Sequence, residues 1–187
     1  MAEVKILVEG YTNEDSIGED EVEKTCATIS LVKDKKIIMV VDPGVLESQQ
    51  ILIDALEKQG LSANDINIVC LTHSHIDHFR NIGMFPEAKT LEYYGLWDKN
   101  TVEDWEEQFT EDIKIIKTPG HDSTSITLLI KTDEGSVAIC GDVFWKKDFP
   151  DEDEYADNPE KLKQSREKVK QLADYIIPGH GGMYKVD

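Results

Sequence analysis

Cysteine is scarce in this chain and badly placed for pairing. Among 187 residues there are three, Cys26, Cys70 and Cys140, an odd number spaced far apart with no CxxC pair. That argues against a disulfide framework or a thiolate metal site. Each lies in an apolar run, so buried free thiols in a reducing cytoplasm are expected. Basic residues are also few. Twenty Lys and Arg stand against 38 Asp and Glu, a net charge of −18. A field of that sign counts against nucleic acid and anionic membranes as partners, and favours a small-molecule substrate. Long hydrophobic runs are missing too: nothing approaches the roughly 18 apolar residues of a membrane span, and the N-terminus has no long apolar segment with a cleavage signature. No linker, repeat or low-complexity tract interrupts the chain. One domain over residues 1–187 is therefore expected, and a homodimer is left open.

What the chain does have is a particular use of histidine. All five fall into three clusters: Thr72-His73-Ser74-His75-Ile76-Asp77-His78, Pro119-Gly120-His121 and Pro178-Gly179-His180. None is left over for packing or for the surface.

Hydrophobic periodicity places these clusters. Strand patterns cover 4–8, 25–33 and 36–41, the last apolar throughout as in a strand buried on both faces. It stops at Asp42-Pro43-Gly44, a turn signal. Residues 46–59 read as a helix with Leu46, Ile53 and Leu56 on one face. An apolar strand at 66–71 runs into the first histidine cluster, and a mixed stretch at 82–109 carries Tyr93, Tyr94, Trp97 and Trp105. Strands follow at 113–117, 126–131 and 136–140, the last two as a hairpin. Asn158 caps a helix that opens at Pro159, runs to about 173 and buries Leu162, Val169 and Leu172. A last strand covers 175–177. Asp42, His73, His121, Asp142 and His180 thus each sit at or just beyond the end of an apolar strand, where residues distant in sequence can meet on one rim.

Imidazole nitrogen and carboxylate oxygen suit zinc, iron or manganese. Two adjacent metals need about seven donors, one of them shared. His73, His75, Asp77, His78, His121, Asp142 and His180 supply that number. In an extended segment His73 and His75 point the same way, while Asp77 and His78 swing towards a second centre as the chain turns. Two such metals would lower the pKa of a bridging water, polarise a substrate oxygen and stabilise the leaving group.

The five motifs Val41-Asp42-Pro43-Gly44, Thr72–His78, Pro119-Gly120-His121, Cys140-Gly141-Asp142 and Pro178-Gly179-His180, in this order, resemble the metallo-β-lactamase superfamily over essentially the whole chain. The resemblance implies an α/β (α+β) fold: a four-layer αββα sandwich of two mixed β-sheets flanked by helices, with the metals on one edge. It implies that His73, His75 and His121 hold a first metal and Asp77, His78 and His180 a second. Asp142 would bridge them, and Asp42 would orient ligands from behind. The cofactors implied are two divalent ions, zinc first, with iron or manganese as alternatives.

The activity implied is hydrolysis of an ester, thioester, lactone or phosphodiester, with Asp77 and Asp142 as the catalytic carboxylates. Other branches fit less well. True β-lactamases usually replace a residue at the position of His78 or Asp142. Glyoxalase II-like thioesterases add a helical domain, and only seven residues follow His180 here. Nucleases of the superfamily typically use an extra histidine as proton donor. The flavodiiron branch needs a glutamate for the second histidine. An RNA phosphodiesterase, a mononuclear iron persulfide dioxygenase and a non-catalytic metal-binding protein remain as alternatives. The segment 77–86 is locally similar to small single-domain members, some linked to cleavage of single-stranded RNA.

Four further features are open at the level of sequence. Trp145 either walls the pocket or packs in the core. Tyr93, Tyr94 and Trp97 read as core before lid. Lys146 and Lys147 read as a solvated pair. The acidic run 148–154 reads as an exposed loop.

Overall fold

The computed structural model describes residues 1–18, 22–147 and 149–187. The elements in chain order are β1 (Glu3–Val8), β2 (Tyr11–Thr12), β3 (Thr25–Cys26), β4 (Ile29–Asp34), β5 (Ile37–Val41), α1 (Gln50–Glu57), β6 (Ile68–Cys70), α2 (Ile76–Phe79), β7 (Lys89–Glu92), β8 (Gly95–Asp98), β9 (Thr101–Glu103), β10 (Ile113–Lys117), β11 (Ile126–Thr132), β12 (Gly135–Ile139), α3 (Pro159–Leu172), β13 (Tyr175–Ile177) and β14 (Tyr184–Lys185). Two mixed sheets form, in the orders β1-β4-β5-β6-β7-β8-β9 and β10-β11-β12-β13-β14, with β2 and β3 making a separate ribbon.

Period-two alternation sorts the apolar side chains into three cores. Val32, Met39, Val41, Ile68, Cys70 and Leu91 of the first sheet face Ile113, Ile115, Leu128, Ile130, Val137 and Ile139 of the second. The alternate residues Leu31, Val40 and Val69 turn outwards onto Leu52 and Leu56 of α1. On the other side Ile116, Leu129, Ala138 and Ile176 meet Leu162 and Val169 of α3. Helix, sheet, sheet and helix are therefore stacked as the expected αββα sandwich. Met39, Val40 and Val41 are buried on both faces, as their unbroken apolar run implied.

Direction is what builds the rim. β5, β6 and β7 are parallel to one another. In the second sheet β12 and β13 are parallel, and β10 shares their direction because both β10 and β12 are antiparallel to β11. The segments that follow β5, β6, β10, β12 and β13 carry Asp42, the Thr72–His78 cluster, His121, Asp142 and His180.

Three expectations need correction. The strand at 25–33 is broken: Ala27 N donates to Asp77 O at 3.4 Å and Thr28 N to Gly179 O at 2.6 Å, so backbone that would continue a ladder is bonded to the rim loops instead. The helix at 46–59 shortens to α1, because the Pro43-Gly44 turn, with Gly44 at φ 71, carries Leu46 under the sheet before the helix begins. Leu172 is 43% exposed in the last turn of α3, leaving Leu162, Ser165 and Val169 as that helix's buried face. The mixed stretch at 82–109 resolves into an antiparallel meander, β7-β8-β9. No helix among the described residues is long and apolar enough to cross a membrane.

Candidate metal centre

The seven residues singled out by spacing come together. One group joins His73, His75, His121 and Asp142, the other Asp77, His78 and His180, and within each group the ligand atoms lie within 4.8 Å of one another. In the first group His75 Nδ1 stands 3.1 Å from His73 Nε2 and 3.1 Å from His121 Nε2. In the second, His180 Nε2 lies 3.6 Å from Asp77 Oδ2. The chain divides between the groups where it turns from extended backbone at His75 into the short helix α2, which carries Asp77 and His78.

Asp142 sits between the two. Its Oδ2 is 3.4 Å from His121 Nε2 and 3.2 Å from His180 Nε2, and its Oδ1 is 3.2 Å from His78 Nε2. Close approach is allowed by Gly179: a Cβ there would overlap the Asp142 carboxylate. Gly120 does similar work for His121. It adopts φ 145, and a Cβ there would strike the backbone of Leu162 in α3.

The far side of four of the imidazoles, those of His73, His78, His121 and His180, is fixed. Asp42, itself at φ 49, accepts from Thr72 N at 2.8 Å, from the Thr72 hydroxyl at 2.7 Å and from His78 Nδ1 at 2.9 Å. With its proton given to Asp42, the Thr72 hydroxyl oxygen is left to accept from His73 Nδ1 at 3.1 Å. The Thr25 hydroxyl donates to Asp77 Oδ2 at 2.9 Å and lies 3.2 Å from His180 Nδ1, which also meets Cys26 O at 3.1 Å. His121 Nδ1 meets Asp153 Oδ2 at 2.7 Å. Such partners set tautomer and ring orientation, so that the inner nitrogens present lone pairs.

Electrostatics follow from burying these charges together. Burial pushes the His78 imidazole down, but Asp142 and Asp42 outweigh it and hold it well above the ordinary histidine value. Burial pushes Asp142 up, but His180 and His78 outweigh it and hold the carboxyl well below its usual range. Burial and then the neighbouring His78 push His73 well down. The donors fit a metal on a second count: His78 Nε2 and Asp142 Oδ1 are buried and lie 3.2 Å apart, yet neither makes a hydrogen bond, to the other or to any other described group. Buried polar atoms of that kind are otherwise costly.

The remaining candidates divide. Trp145 is buried, and it borders the centre edge-on, with ring centroids 5.9 Å from His121 and 6.2 Å from His180. Tyr93 packs against the inter-sheet core beneath Lys117 Nζ at 4.0 Å, while Tyr94 and Trp97 are exposed. Lys146 pairs with Asp15 at 2.8 Å and Lys147 with Asp187 at 3.8 Å. In the acidic run Asp148 lies outside the described residues, and the reading of an exposed loop fails at Asp153, which is buried against His121. Thr25 and Asp153 were missed because nothing in their local pattern separates them from an ordinary strand residue and an ordinary acidic loop.

A two-sheet sandwich with histidines and aspartates gathered on one rim defines a class of metal-dependent hydrolase folds. Residues 27–101 match the family model of the metallo-beta-lactamase superfamily. Metallo-beta-lactamase domain-containing protein 1 of Xenopus laevis is 30% identical over 193 residues, covering 98% of this chain and 81% of the frog protein. The Rattus norvegicus protein of that name is 31% identical over 160 residues, and there the match covers 79% of this chain and 63% of the rat protein. The chain belongs to the metallo-beta-lactamase superfamily. Among solved structures, a metallo-beta-lactamase-like protein of Thermotoga maritima superposes with a TM-score of 0.76 at 24% identity, over 98% of this chain and 99% of that one. An N-acyl homoserine lactone hydrolase with its product at the catalytic metal centre gives 0.70 at 16% identity, over 96% and 92%. These two likenesses carry the fold.

Proposed function

We propose that the protein is a hydrolase that works with two divalent metal ions, zinc first and iron or manganese as alternatives, on an ester, thioester, lactone or phosphodiester bond of a small substrate. Asp142 carries this reading. One buried carboxylate lies within 3.4 Å of histidine nitrogens from both donor groups, which is the position of a shared ligand. His73, His75 and His121 would hold one ion, Asp77, His78 and His180 the other, and Asp142 both. Metals held there supply Lewis acidity and a water acidic enough to react near neutral pH.

The chain's own residues do the rest. Asp42, Thr72, Thr25 and Asp153 fix the imidazoles from behind. Thr25 holds one oxygen of Asp77, leaving the other as a proton acceptor beside the centre. Trp145 closes one flank to water. Ser74, His75 and Ile76 at the edge of the centre are exposed and give a substrate access. With all five histidines spent in the centre, the leaving group takes its proton from water or a carboxylate. The acidic balance of −18 supports a small substrate over a polyanion. The lactone hydrolase among proteins of like fold supports including lactones.

The test is elemental analysis together with turnover on a panel of ester, thioester, lactone and phosphodiester substrates in zinc, manganese and iron forms. Two ions per chain and turnover lost to a chelator are expected. Cleavage of a labelled RNA oligonucleotide alone would narrow the reading to a phosphodiesterase. One iron per chain with thiol-dependent oxygen uptake would replace it with a dioxygenase. Metal binding with no turnover on any substrate would leave a metal-binding protein.

A further inference from the structure

Of the acidic residues at 151–154, three are exposed and one is not. Asp151, Glu152 and Glu154 face solvent, while the side chain of Asp153 is fully buried. An ionised carboxylate taken out of water costs several kcal/mol unless it is paired. Its pairing is specific: Oδ2 lies 2.7 Å from His121 Nδ1, and Oδ1 accepts from Tyr155 N at 3.0 Å. The first distance is in the charge-assisted range. The loop is tied to the same histidine turn by its backbone, with Asp157 N donating to His121 O at 3.0 Å and Asn158 N to Gly120 O at 2.9 Å.

The two donor groups are matched in this respect. In the second group, His78 is backed by Asp42 at 2.9 Å; in the first, His121 is backed by Asp153. His73 and His180 are backed only by neutral oxygens, those of Thr72, Thr25 and Cys26. Each group therefore contains one histidine set against a buried carboxylate.

We infer that Asp153 is the positioning residue of the first donor group: it holds the proton of His121 on Nδ1, aims Nε2 at the centre, and sets the affinity of that group for its ion independently of the second. An ionised carboxylate only accepts, so Nδ1 carries the proton and Nε2 is left bare. The same contact makes the imidazole a stronger donor. This inference rests on the metallohydrolase reading.

The test is titration of the metal-free protein with Co(II), followed by visible absorption and by competition with a chelating dye, for wild type, Asp153→Asn and Asp42→Asn. Asp153→Asn should bind one of the two ions 10- to 100-fold more weakly, with a changed absorption band for that ion and the other ion unaffected. Asp42→Asn should weaken the other ion. Asparagine keeps the size and one acceptor oxygen of Asp153, so the variant folds even where Asp153→Ala does not, and circular dichroism checks this. Unchanged affinity and spectrum in Asp153→Asn would overturn the inference, and so would equal weakening of both ions, the mark of a merely structural role. A wild-type protein that binds no Co(II) would instead remove the metallohydrolase reading on which the inference stands.

Discussion

A single carboxylate, Asp142, connects the two halves of the centre, and its loss has consequences that can be separated. Asp142→Ala removes a carboxylate that lies near nitrogens of both donor sets and takes away the oxygen 3.2 Å from His78 Nε2. Metal content per chain should fall and turnover should drop at least about a hundredfold, while the far-ultraviolet circular dichroism stays close to wild type. Full activity in that variant would sink the dinuclear reading. Gly120 acts through shape instead. Alanine there meets both an unfavourable φ of 145 and the Leu162 backbone, so Gly120→Ala should cost about 3 kcal/mol in chemical denaturation and lower metal content by displacing His121. The three thiols give a third expectation. Burial pushes Cys26, Cys70 and Cys140 up, so a thiol reagent at pH 8 should label almost none in the native protein and all three in denaturant. Rapid labelling of the folded chain would show that the strand ends open.

At the scale of elements, the helix α3 ties the metal rim to the second sheet. Asn158 Oδ1 accepts from Lys161 N at 2.9 Å, Pro159 opens the helix and Leu162 lies beneath Gly120. Asn158→Ala should lower stability by about 1 kcal/mol, measured by urea unfolding. A wild-type midpoint would show that the cap is replaced by another donor or by solvent. Strong local signals made this helix legible: an N-cap, a proline at the first position and a periodic apolar face. Its span matches the expectation, and only the burial of Leu172 does not hold: that side chain is exposed while Val169 and Ala173 are buried. The break at Ala27 and Thr28 was illegible for a different reason. Both residues suit a strand, and only their bonds to Asp77 and Gly179 divert them.

For the whole molecule, donors carried by segments distant in the chain would make a bound metal an internal tie between the two sheets. At free metal about a hundred times the dissociation constant, binding adds roughly 2.7 kcal/mol. For a chain of this size that raises the melting temperature by roughly 5–10 °C. Calorimetry with and without a chelator measures it, and an unchanged midpoint would mean that the centre does not couple to folding. The sequence by itself determined most of the strands and the seven candidate donors, because both are written in short-range patterns: alternation of apolar residues, turn residues after strands, and histidines at fixed spacing; the sandwich followed from the resemblance that the five motifs carry. Tertiary structure alone decided what stands behind His73, His121 and His180, and that Asp153 leaves an acidic surface run to meet His121. Those outcomes depend on strand direction and on contacts between segments far apart in the chain, and burial of a charge is decided by the partner it meets.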